Sequence, residues 1–568
     1  METSSHLRSA LRSESALRAV LLAAGATAIG LIFWKLQFST DAVCCGDFDG
    51  YYHIKWSRML WEALRQGHPP PPFTWLPFTT LDPRHFVDHH LLFHAFQMPF
   101  TWFGDLRLGA KISATLFGSL AVFSCYWLLI QYRLRYPLVW LLALLASSAP
   151  FLYRLNMAKA PPFAIIYLVI GIYLLFTRRY WPLLPLGFVF ALTYDTFPLL
   201  FLAAIIWSGV IGWTEHRFEW RPIVWVLVGS VAGLIINPYF PTNFLLLYRH
   251  MKMKITPSDF STSVGKEWYP YDSWEFLGNS LVACVAMVVG YVSFDPTDRK
   301  RAHHSLFFLV FATLLMILTA RWKRMVEYWP PFAVMFAAFA LHHWLEGARS
   351  SFTRLPTELL DELQPFFDRA EAAPIIRETE LKELLRTIVV ASVALLLGVV
   401  LFFNLRATTH DIASSERHSF YKAGAEWMRA NVPAGQMVFN TDWDDFPRLF
   451  YYDPNHSYIT GLDPTYLFDK DPALSKLYDR ITLGHEEDPG PLIRDRFGAR
   501  YVFTDNSHED FFDNAQASGW FQVMYEDRDC TILWIRDQKQ EPKSVQPDQG
   551  EGGDEEPLED NSPFVPKS

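Results

Sequence analysis

The sequence predicts a multi-pass α-helical membrane protein of about eleven spans with a C-terminal soluble α/β domain. The first observation is composition: 51% of the 568 residues are hydrophobic and 16% are aromatic, more than in ordinary soluble domains. The second is that long apolar runs recur through the N-terminal part of the chain. The third is that strand-like segments follow the last apolar run, near residues 437–440, 501–504 and 531–535.

Apolar runs that could form membrane spans are spread over the first part of the chain. They begin near Ala19, Ile112, Leu138, Phe163, Pro182, Phe197, Ile223, Leu277, Leu306, Trp329 and Ile388. Several are shorter than the roughly 20 residues that a perpendicular span needs. The middle of the bundle could therefore contain half-helices.

Short basic loops indicate which side of the membrane each loop faces. Residues 131–135, 177–179 and 298–301 are rich in Arg and Lys and fall on alternate turns together with the N-terminus. Because short cytoplasmic loops carry an excess of these residues, the pattern places them and the N-terminus in the cytoplasm. The long loops at 39–108 and 237–276 then lie outside, as does everything after the last span.

On this topology the chain divides into three parts. Residues 1–404 form a transmembrane domain, and residues 405–537 form an extracytoplasmic α/β domain. Residues 538–568 are rich in acidic residues, Pro and Gly, and we expect them to be a disordered acidic tail. With a net charge of −9, nothing in the chain is basic enough to suggest a nucleic-acid partner. We expect an integral protein of a bacterial inner membrane.

The first long loop begins with an acidic and aromatic motif. Residues 46–58 read GDFDGYYHIKWSR, so Asp47 and Asp49 precede an aromatic and basic helix at the membrane surface. Carboxylates in this position could bind a divalent cation that counters a phosphate leaving group. The alternative is that Asp47 or Asp49 caps the helix.

Asp88, His89 and His90 follow in the same loop. Carboxylate oxygen and imidazole nitrogen are metal ligands, so these residues could ligate a cation. His94 lies four residues after His90 and so on the same face of a helix. Packing or capping roles are at least as common for such residues.

The long loop at 237–276 and the basic segment at 321–328 carry two further motifs. A loop of this length without clear secondary structure is more often a functional lid than a connector, and it contains Glu267. The alternative for Glu267 is a surface glutamate beside aromatic residues. Arg321 and Arg324 lie three residues apart on one expected helical face, and guanidinium groups match phosphate oxygens. Cations on the outer side oppose the positive-inside trend, which favours a functional role.

These motifs resemble the C-type (GT-C) membrane glycosyltransferases, in particular the catalytic subunit of oligosaccharyltransferases. Asp49, followed by two aromatic residues, a His and a basic residue, is similar to that subunit's first-loop motif, whose Asp binds metal and positions the acceptor. Glu267 resembles the functional Glu near the end of its long loop, and Arg324 the arginine that meets the carrier lipid's phosphates. The resemblance implies a polyprenyl phosphate or diphosphate sugar donor.

The chain departs from this family in one place. The second external loop should offer a second acidic motif, yet residues 153–159 read YRLNMAK and contain no carboxylate. Either Asp88, His89 or His90 completes a Mg²⁺ or Mn²⁺ site with Asp49, or Arg154 and Lys159 neutralise the phosphate without a metal. We favour the metal. Residues 442–446, DWDDF, only faintly resemble the family's acceptor-reading motif, so we do not predict recognition of a peptide sequence.

The leading interpretation is a hexosyl- or oligosaccharyl-type glycosyltransferase acting on the non-cytoplasmic face. Asp49 would be a metal ligand or general base, Glu267 would position the acceptor, and Arg321 and Arg324 would bind phosphate. The acceptor could be a protein, a lipid or a polysaccharide. A transporter or flippase of lipid-linked glycans is the alternative from another class, but intramembrane charges should then mark its path. The apolar runs contain few charges, which favours chemistry at the membrane boundary.

Overall fold

The computed structural model describes residues 2–45, 48–68, 70–255, 265–297, 299, 302–347 and 378–540. Before the soluble domain, the described helices are Glu2–Gln37, Asp49–Arg65, Leu91–Gln97, Leu106–Gln131, Pro137–Ala146, Ala149–Leu155, Pro161–Phe176, Leu183–Thr193, Pro198–Glu215, Arg221–Ile235, Thr242–Ile255, Ser273–Asn279, Leu281–Ser293, His303–Arg321, Trp329–Gly347 and Glu378–Ala413. Short 3-10 turns lie at Met98–Trp102, Lys266–Trp268 and Lys323–Glu327. Asp47, residues 256–264 and the acidic tail from residue 541 lie outside the described residues.

The helices confirm a multi-pass membrane architecture. In the described part, five helices are long and apolar enough to cross a membrane: Glu14–Gln37, Leu106–Gln131, Pro198–Glu215, His303–Arg321 and Leu384–Ala413. Two bent helix pairs pass the same test as pairs, and four shorter apolar helices accompany them. Every predicted apolar run begins in or next to a helix. The chain is therefore an integral membrane protein, while the number of about eleven spans stays a prediction.

The two bent pairs contact each other where they break. Helix Pro137–Ala146 meets Ala149–Leu155 at 84°, and Ser273–Asn279 meets Leu281–Ser293 at 87°. Ser148 caps the second half of the first pair by accepting a hydrogen bond from the Phe151 backbone N–H. The Ser280 hydroxyl donates to Ser148 Oγ over 3.0 Å. These bonds satisfy polar groups that the breaks would otherwise leave unpaired inside an apolar bundle.

The loops form two groups at opposite ends of the bundle. At one end, the predicted cytoplasmic loops contact one another: Arg133 lies 3.3 Å from Glu14, and Arg178 pairs with Glu215. Helix Leu106–Gln131, with 26 residues and so about 39 Å long, separates them from the other end. There the long loops meet the soluble domain, and we call this the domain end. Which end faces the cytoplasm stays a prediction.

The loop at 237–276 is more ordered than the sequence predicts. Helix Thr242–Ile255 fills its first part, and the turn Lys266–Trp268 and helix Ser273–Asn279 follow. The expectation of a loop without clear secondary structure is therefore wrong for its described residues. Helix Thr242–Ile255 combines apolar residues with basic ones, so the sequence did not show the pattern of a membrane span there.

The soluble domain is a small mixed sheet covered by helices. Its strands are β1 (Met437–Asn440), β2 (Ser457–Tyr458), β3 (Tyr501–Asp505), β4 (Phe521–Glu526) and β5 (Cys530–Ile535), in the order β2-β1-β3-β5-β4. β1 pairs in parallel with β2 and β3, and β5 pairs antiparallel with β3 and β4. The helices are Lys422–Asn431, Phe446–Tyr452, Thr465–Lys470, Pro472–Thr482, Pro489–Phe497 and Glu509–Ala517. The three predicted strands are confirmed.

The soluble domain packs directly on the first long loop. Tyr52 and Trp56 of helix Asp49–Arg65 share one buried hydrophobic cluster with Phe446 and Phe450 of the domain. Removing this apolar surface from water stabilises the contact. Hydrogen bonds add to it: Trp75 Nε1 donates to the Pro454 carbonyl over 2.7 Å. The last membrane helix, Glu378–Ala413, extends beyond the expected domain boundary at residue 404.

Candidate active site

Charged side chains from separate loops form a network at the domain end. Asp49 Oδ2 lies 2.9 Å from Lys159 Nζ. Arg154 Nη2 lies 2.7 Å from Glu267 Oε2, and Arg324 pairs with the other oxygen of Glu267. The charge of Lys159 also acts on Glu267, which joins the two parts of the network. The structure thus brings Asp49, Glu267 and Arg324 together.

Asp49 is the first residue of helix Asp49–Arg65, and Phe48 stands at the cap position with no side-chain capping bond. The alternative in which Asp49 caps this helix is therefore wrong. Its carboxylate lies in the first turn of the helix, at the positive end of the helix dipole. Oδ1 is buried and makes no hydrogen bond within the described part of the chain. Asp49 therefore has one oxygen held by an ammonium and one available to another group.

Glu267 lies between two guanidinium groups. Burial alone would raise the pKa of Glu267, but the charges of Arg324 and Arg154 outweigh it and lower this pKa well below its usual range. Arg154 Nε also donates to Glu327 over 2.6 Å. Glu267 is therefore ionised and unsuited to act as a base, and it orients the two arginines.

Of Arg321 and Arg324, the fold places Arg324 in the charged network. Its guanidinium donates to the Tyr194 hydroxyl over 3.0 Å and lies over the Trp268 ring at 5.4 Å from the centroid. Arg321 ends helix His303–Arg321, is exposed, and lies over its neighbour Trp322. The expected shared helical face is wrong because the helix ends at Arg321 and Arg324 belongs to the following 3-10 turn.

Asp88 belongs to a separate buried hydrogen-bond chain. Trp56 Nε1 donates to Asp88 Oδ2 over 2.9 Å, and His94 Nδ1 lies 2.8 Å from the same oxygen. Oδ1 accepts the backbone N–H of His90 over 3.0 Å. His94 Nε2 in turn lies 2.7 Å from His53 Nδ1. Burial lowers the pKa of His53 well below its usual range, so this imidazole is neutral.

His89 and His90 lie beside this chain. Their rings are 4.0 Å apart, and the His90 ring stacks on Tyr194 at 5.3 Å. Burial also lowers the pKa of His90 well below its usual range. Through Tyr194, which bonds Arg324, the histidines contact the ion-pair network without entering it.

The residues do not fit the expected divalent-metal site. Asp49 faces Lys159, whereas Asp88 is bonded by Trp56 and His94. Among the described residues, no group of three or more His, Cys, Asp or Glu side chains is placed to hold a metal ion. The structure therefore does not assemble Asp49, Asp88, His89 and His90 into one coordination shell.

Two cavities open at the domain end. One of ≈ 570 Å³ is lined by Phe48 and Tyr153, the sequence neighbours of Asp49 and Arg154, and by residues near Asp411. Its size suits one small polar ligand. A smaller one of ≈ 40 Å³ is lined by Asp88, His89 and Asp195. Both cavities thus lie at the end of the bundle that carries the network, although none of the network's ion-paired residues lines them.

The soluble domain contributes Tyr466. This side chain is buried, and the charges of Asp49, Asp195 and Arg324 act on its hydroxyl. Its backbone carbonyl accepts the N–H of Thr80 in the first long loop over 3.0 Å. Sequence reasoning missed Tyr466 and also His53. The spacing of His53 four residues after Asp49 was a signal for the latter, because it places both on one helical face.

Comparisons with known proteins identify the fold. No protein-family model and no curated protein sequence matches this chain. Among solved structures, the oligosaccharyltransferase of Archaeoglobus fulgidus in its apo form is 14% identical, with a TM-score of 0.55 over 88% of this chain and 73% of that one. The same enzyme has also been solved with Zn and sulfate.

Two other solved structures agree. ArnT from Cupriavidus metallidurans, bound to undecaprenyl phosphate, is 14% identical with a TM-score of 0.51, covering 92% of this chain and 99% of that one. The arabinofuranosyltransferase AftD from Mycobacteria is 12% identical with a TM-score of 0.51, covering 92% of this chain and 40% of that one. The chain therefore has the fold of the GT-C membrane glycosyltransferases, with a small α/β domain at its C-terminal end.

Proposed function

We propose that this chain is a membrane glycosyltransferase that moves a sugar or glycan from a polyprenyl phosphate or diphosphate to an acceptor on the non-cytoplasmic face. One observation carries the proposal. The carboxylate of Asp49 has a buried oxygen with no hydrogen-bond partner in the described part of the chain, and it lies in one charged network with Arg154 and Arg324. The likeness to ArnT, which was solved with undecaprenyl phosphate, supports the lipid-linked donor.

The transfer needs a base and a place for the leaving group. A heteroatom of the acceptor attacks the anomeric carbon of the sugar with its lone pair. The bond from this carbon to the phosphate oxygen breaks, and its electron pair stays on that oxygen. The proton of the acceptor passes to Asp49 Oδ1, which the structure leaves without an internal partner.

Arg324 is the residue that meets the phosphate. A guanidinium has five N–H donors, and Glu267 and Tyr194 each accept from Arg324. The remaining donors can bond phosphate oxygens, where negative charge builds up as the bond breaks. Glu267, Trp268 and Tyr194 hold the guanidinium in place, so little reorganisation is needed at that moment. In this role Glu267 positions the arginine rather than the acceptor.

Transfer from synthetic undecaprenyl-linked sugars tests the proposal. The purified chain in lipid nanodiscs is given phosphate- and diphosphate-linked donors with peptide, lipid or glycan acceptors, and sugar release is measured. We expect Asp49→Asn to lower turnover roughly 10²- to 10⁴-fold, the range of a lost general base, while donor binding is kept. Asp513→Asn, at an exposed position of the soluble domain, is the matched control. Turnover of Asp49→Asn equal to that of the control would contradict the assignment.

A further inference from the structure

We propose that Lys159 supplies at Asp49 the positive charge that a divalent ion supplies in a metal-dependent glycosyltransferase, so that this enzyme transfers its sugar without a metal. The inference rests on the proposed function for its chemistry. It rests on the structure alone for the claim that the residues around Asp49 do not suit a divalent ion. The two can therefore be tested separately.

The first step is that Lys159 is built into the site. Its side chain is buried, with 9% of its surface exposed, and its ammonium lies 2.9 Å from Asp49 Oδ2. The residue lies in the short turn between helices Ala149–Leu155 and Pro161–Phe176, where its backbone N–H donates to the Met157 carbonyl over 2.8 Å. A buried ammonium needs a carboxylate partner, and the turn holds it against this one.

The second step concerns the other carboxylates of the network. Glu267 pairs with both Arg154 and Arg324, and Glu327 pairs with Arg154. A divalent ion bound to Asp49 or Glu267 would have to lie close to the cations that already hold these oxygens. Like charges at such separations repel strongly in a partly buried site. The carboxylates are therefore matched by resident cations.

The third step is that Asp88 and the histidines that follow it already make other contacts. Both oxygens of Asp88 accept hydrogen bonds, from Trp56 and from the backbone of His90, and the His94 imidazole also bonds this carboxylate. Asp88 is 2% exposed. It could join a metal at Asp49 only by breaking this buried network, which would leave polar groups unpaired. The sequence signal is the second loop, which carries Arg154 and Lys159 where the resembling family carries carboxylates.

This arrangement has a chemical consequence. Lys159 holds Asp49 Oδ2 and so fixes the orientation of the carboxylate, which leaves Oδ1 to accept the proton of the acceptor. Arg324 neutralises the leaving phosphate, as a metal ion would do in another enzyme. Lys159 is thus a positioning residue, and Asp49 and Arg324 are the residues that touch the reacting groups.

Mn²⁺ binding tests the claim without any donor or activity. EPR spectroscopy follows Mn²⁺ titrated into the whole purified chain, in the wild type and in Asp49→Asn. We expect the two proteins to bind the same amount, because any bound ion is then held away from Asp49. A wild-type site that is lost in Asp49→Asn would overturn the proposal.

Substitution of Lys159 gives the converse test. Lys159→Asp replaces the ammonium by a second carboxylate, and we expect Mn²⁺ affinity to rise, because the change adds an oxygen ligand beside Asp49 and removes a repelling charge. Lys159→Met, which removes the charge without adding a ligand, should not gain this affinity. Unchanged Mn²⁺ affinity in a folded Lys159→Asp, checked by its thermal melting, would contradict the placement of the ammonium. Should this variant fail to fold, the wild-type comparison still decides.

Transfer assays complete the experiment. We expect wild-type turnover to be the same with and without EDTA, and Lys159→Gln to lower it about 10²-fold with an altered pH profile. Turnover that EDTA abolishes and Mn²⁺ restores would overturn the proposal. If the wild type transfers from none of the donors, the proposed function fails, whereas the Mn²⁺ measurements still decide on the metal.

Discussion

Two groups of acidic residues in this molecule are neutralised in different ways. At the domain end, Asp49 and Glu267 each pair with lysine or arginine. In the soluble domain, Asp442 and Asp445 follow β1, and Asp505 ends the parallel neighbour β3, so their side chains meet at one edge of the sheet. Their charges act on one another.

The pKa values report this difference. Arginines lower the pKa of Glu267 well below its usual range. Burial raises the pKa of Asp445 well above its usual range, and the charges of Asp442 and Asp505 add to the effect. Resident cations therefore neutralise Glu267, whereas Asp445 is neutralised by taking up a proton. The comparison teaches that the membrane-boundary site is built for constant charge.

The largest expected effect comes from Arg324→Ala. This change removes the donors for the leaving phosphate, and we expect turnover to fall roughly 10²- to 10³-fold with polyprenyl-linked donors. The matched control is Arg178→Ala, which breaks an exposed arginine–glutamate pair at the opposite end of the bundle. If both variants lose the same activity, the resident cations act on stability rather than on catalysis.

The next effect is on stability and its pH dependence, through Asp445→Asn. In the folded protein the raised pKa means that Asp445 holds a proton that the unfolded chain releases above pH of about 4. Stability is therefore lost as pH rises from that value towards the folded pKa. We expect Asp445→Asn to raise the free energy of unfolding at pH 7 by roughly 1–3 kcal/mol and to flatten this decline.

Thermal melting of the protein between pH 4 and 8 measures the change. Asp513→Asn, which alters an exposed aspartate of the same domain, is the control. An unchanged or lower melting temperature for Asp445→Asn at pH 7 would show that Asp445 is not neutralised by a proton. The contrast between Asp445 and the ion-paired Glu267 would then be wrong.

The smallest effect concerns Asp82, which lies at the contact between the first long loop and the soluble domain. Like Asp49, this carboxylate pairs with a lysine. Burial would raise the pKa of Asp82, but the hydrogen bonds from Lys470, His85 and the Arg84 backbone together outweigh it and lower this pKa to about 2. This contribution to stability is present above the unfolded pKa near 4 and is lost as pH falls towards about 2. We expect Lys470→Ala to lower stability at pH 7 by about 1 kcal/mol, with less difference at acidic pH. Denaturant unfolding checks it, and an equal loss at pH 3 and 7 would argue against the pair.

Sequence patterns predicted the helices well because burial in lipid or protein imposes long apolar runs. The strands at 437–440, 501–504 and 531–535 were also found, since alternation and turn residues bound them. The short apolar runs predicted half-helices in the bundle but not the breaks at Ser148 and Ser280, because two short apolar helices and one bent span have the same composition. Only the contact between the serines distinguishes them.

The candidate site shows the same limit. The types of residue at Asp49, Glu267 and Arg324 indicated a charged site, but sequence gives the sign of a charge and not its partner. Lys159 was expected at a phosphate and instead holds Asp49. Asp88 was expected at a metal and instead bonds Trp56 and His94, since burial forces a carboxylate to find donors nearby.

Tyr466 sets an order of events during biosynthesis. Asp49 emerges from the ribosome early, whereas Tyr466 lies in a helix that is translated after the described membrane helices and that packs on the first long loop. A nascent chain therefore contains the residues of the charged network before it contains Tyr466, which lies beside them. A truncated polypeptide that lacks this helix keeps the charged network but loses the buried Tyr466 beside it, so the folding of the α/β domain completes the candidate site.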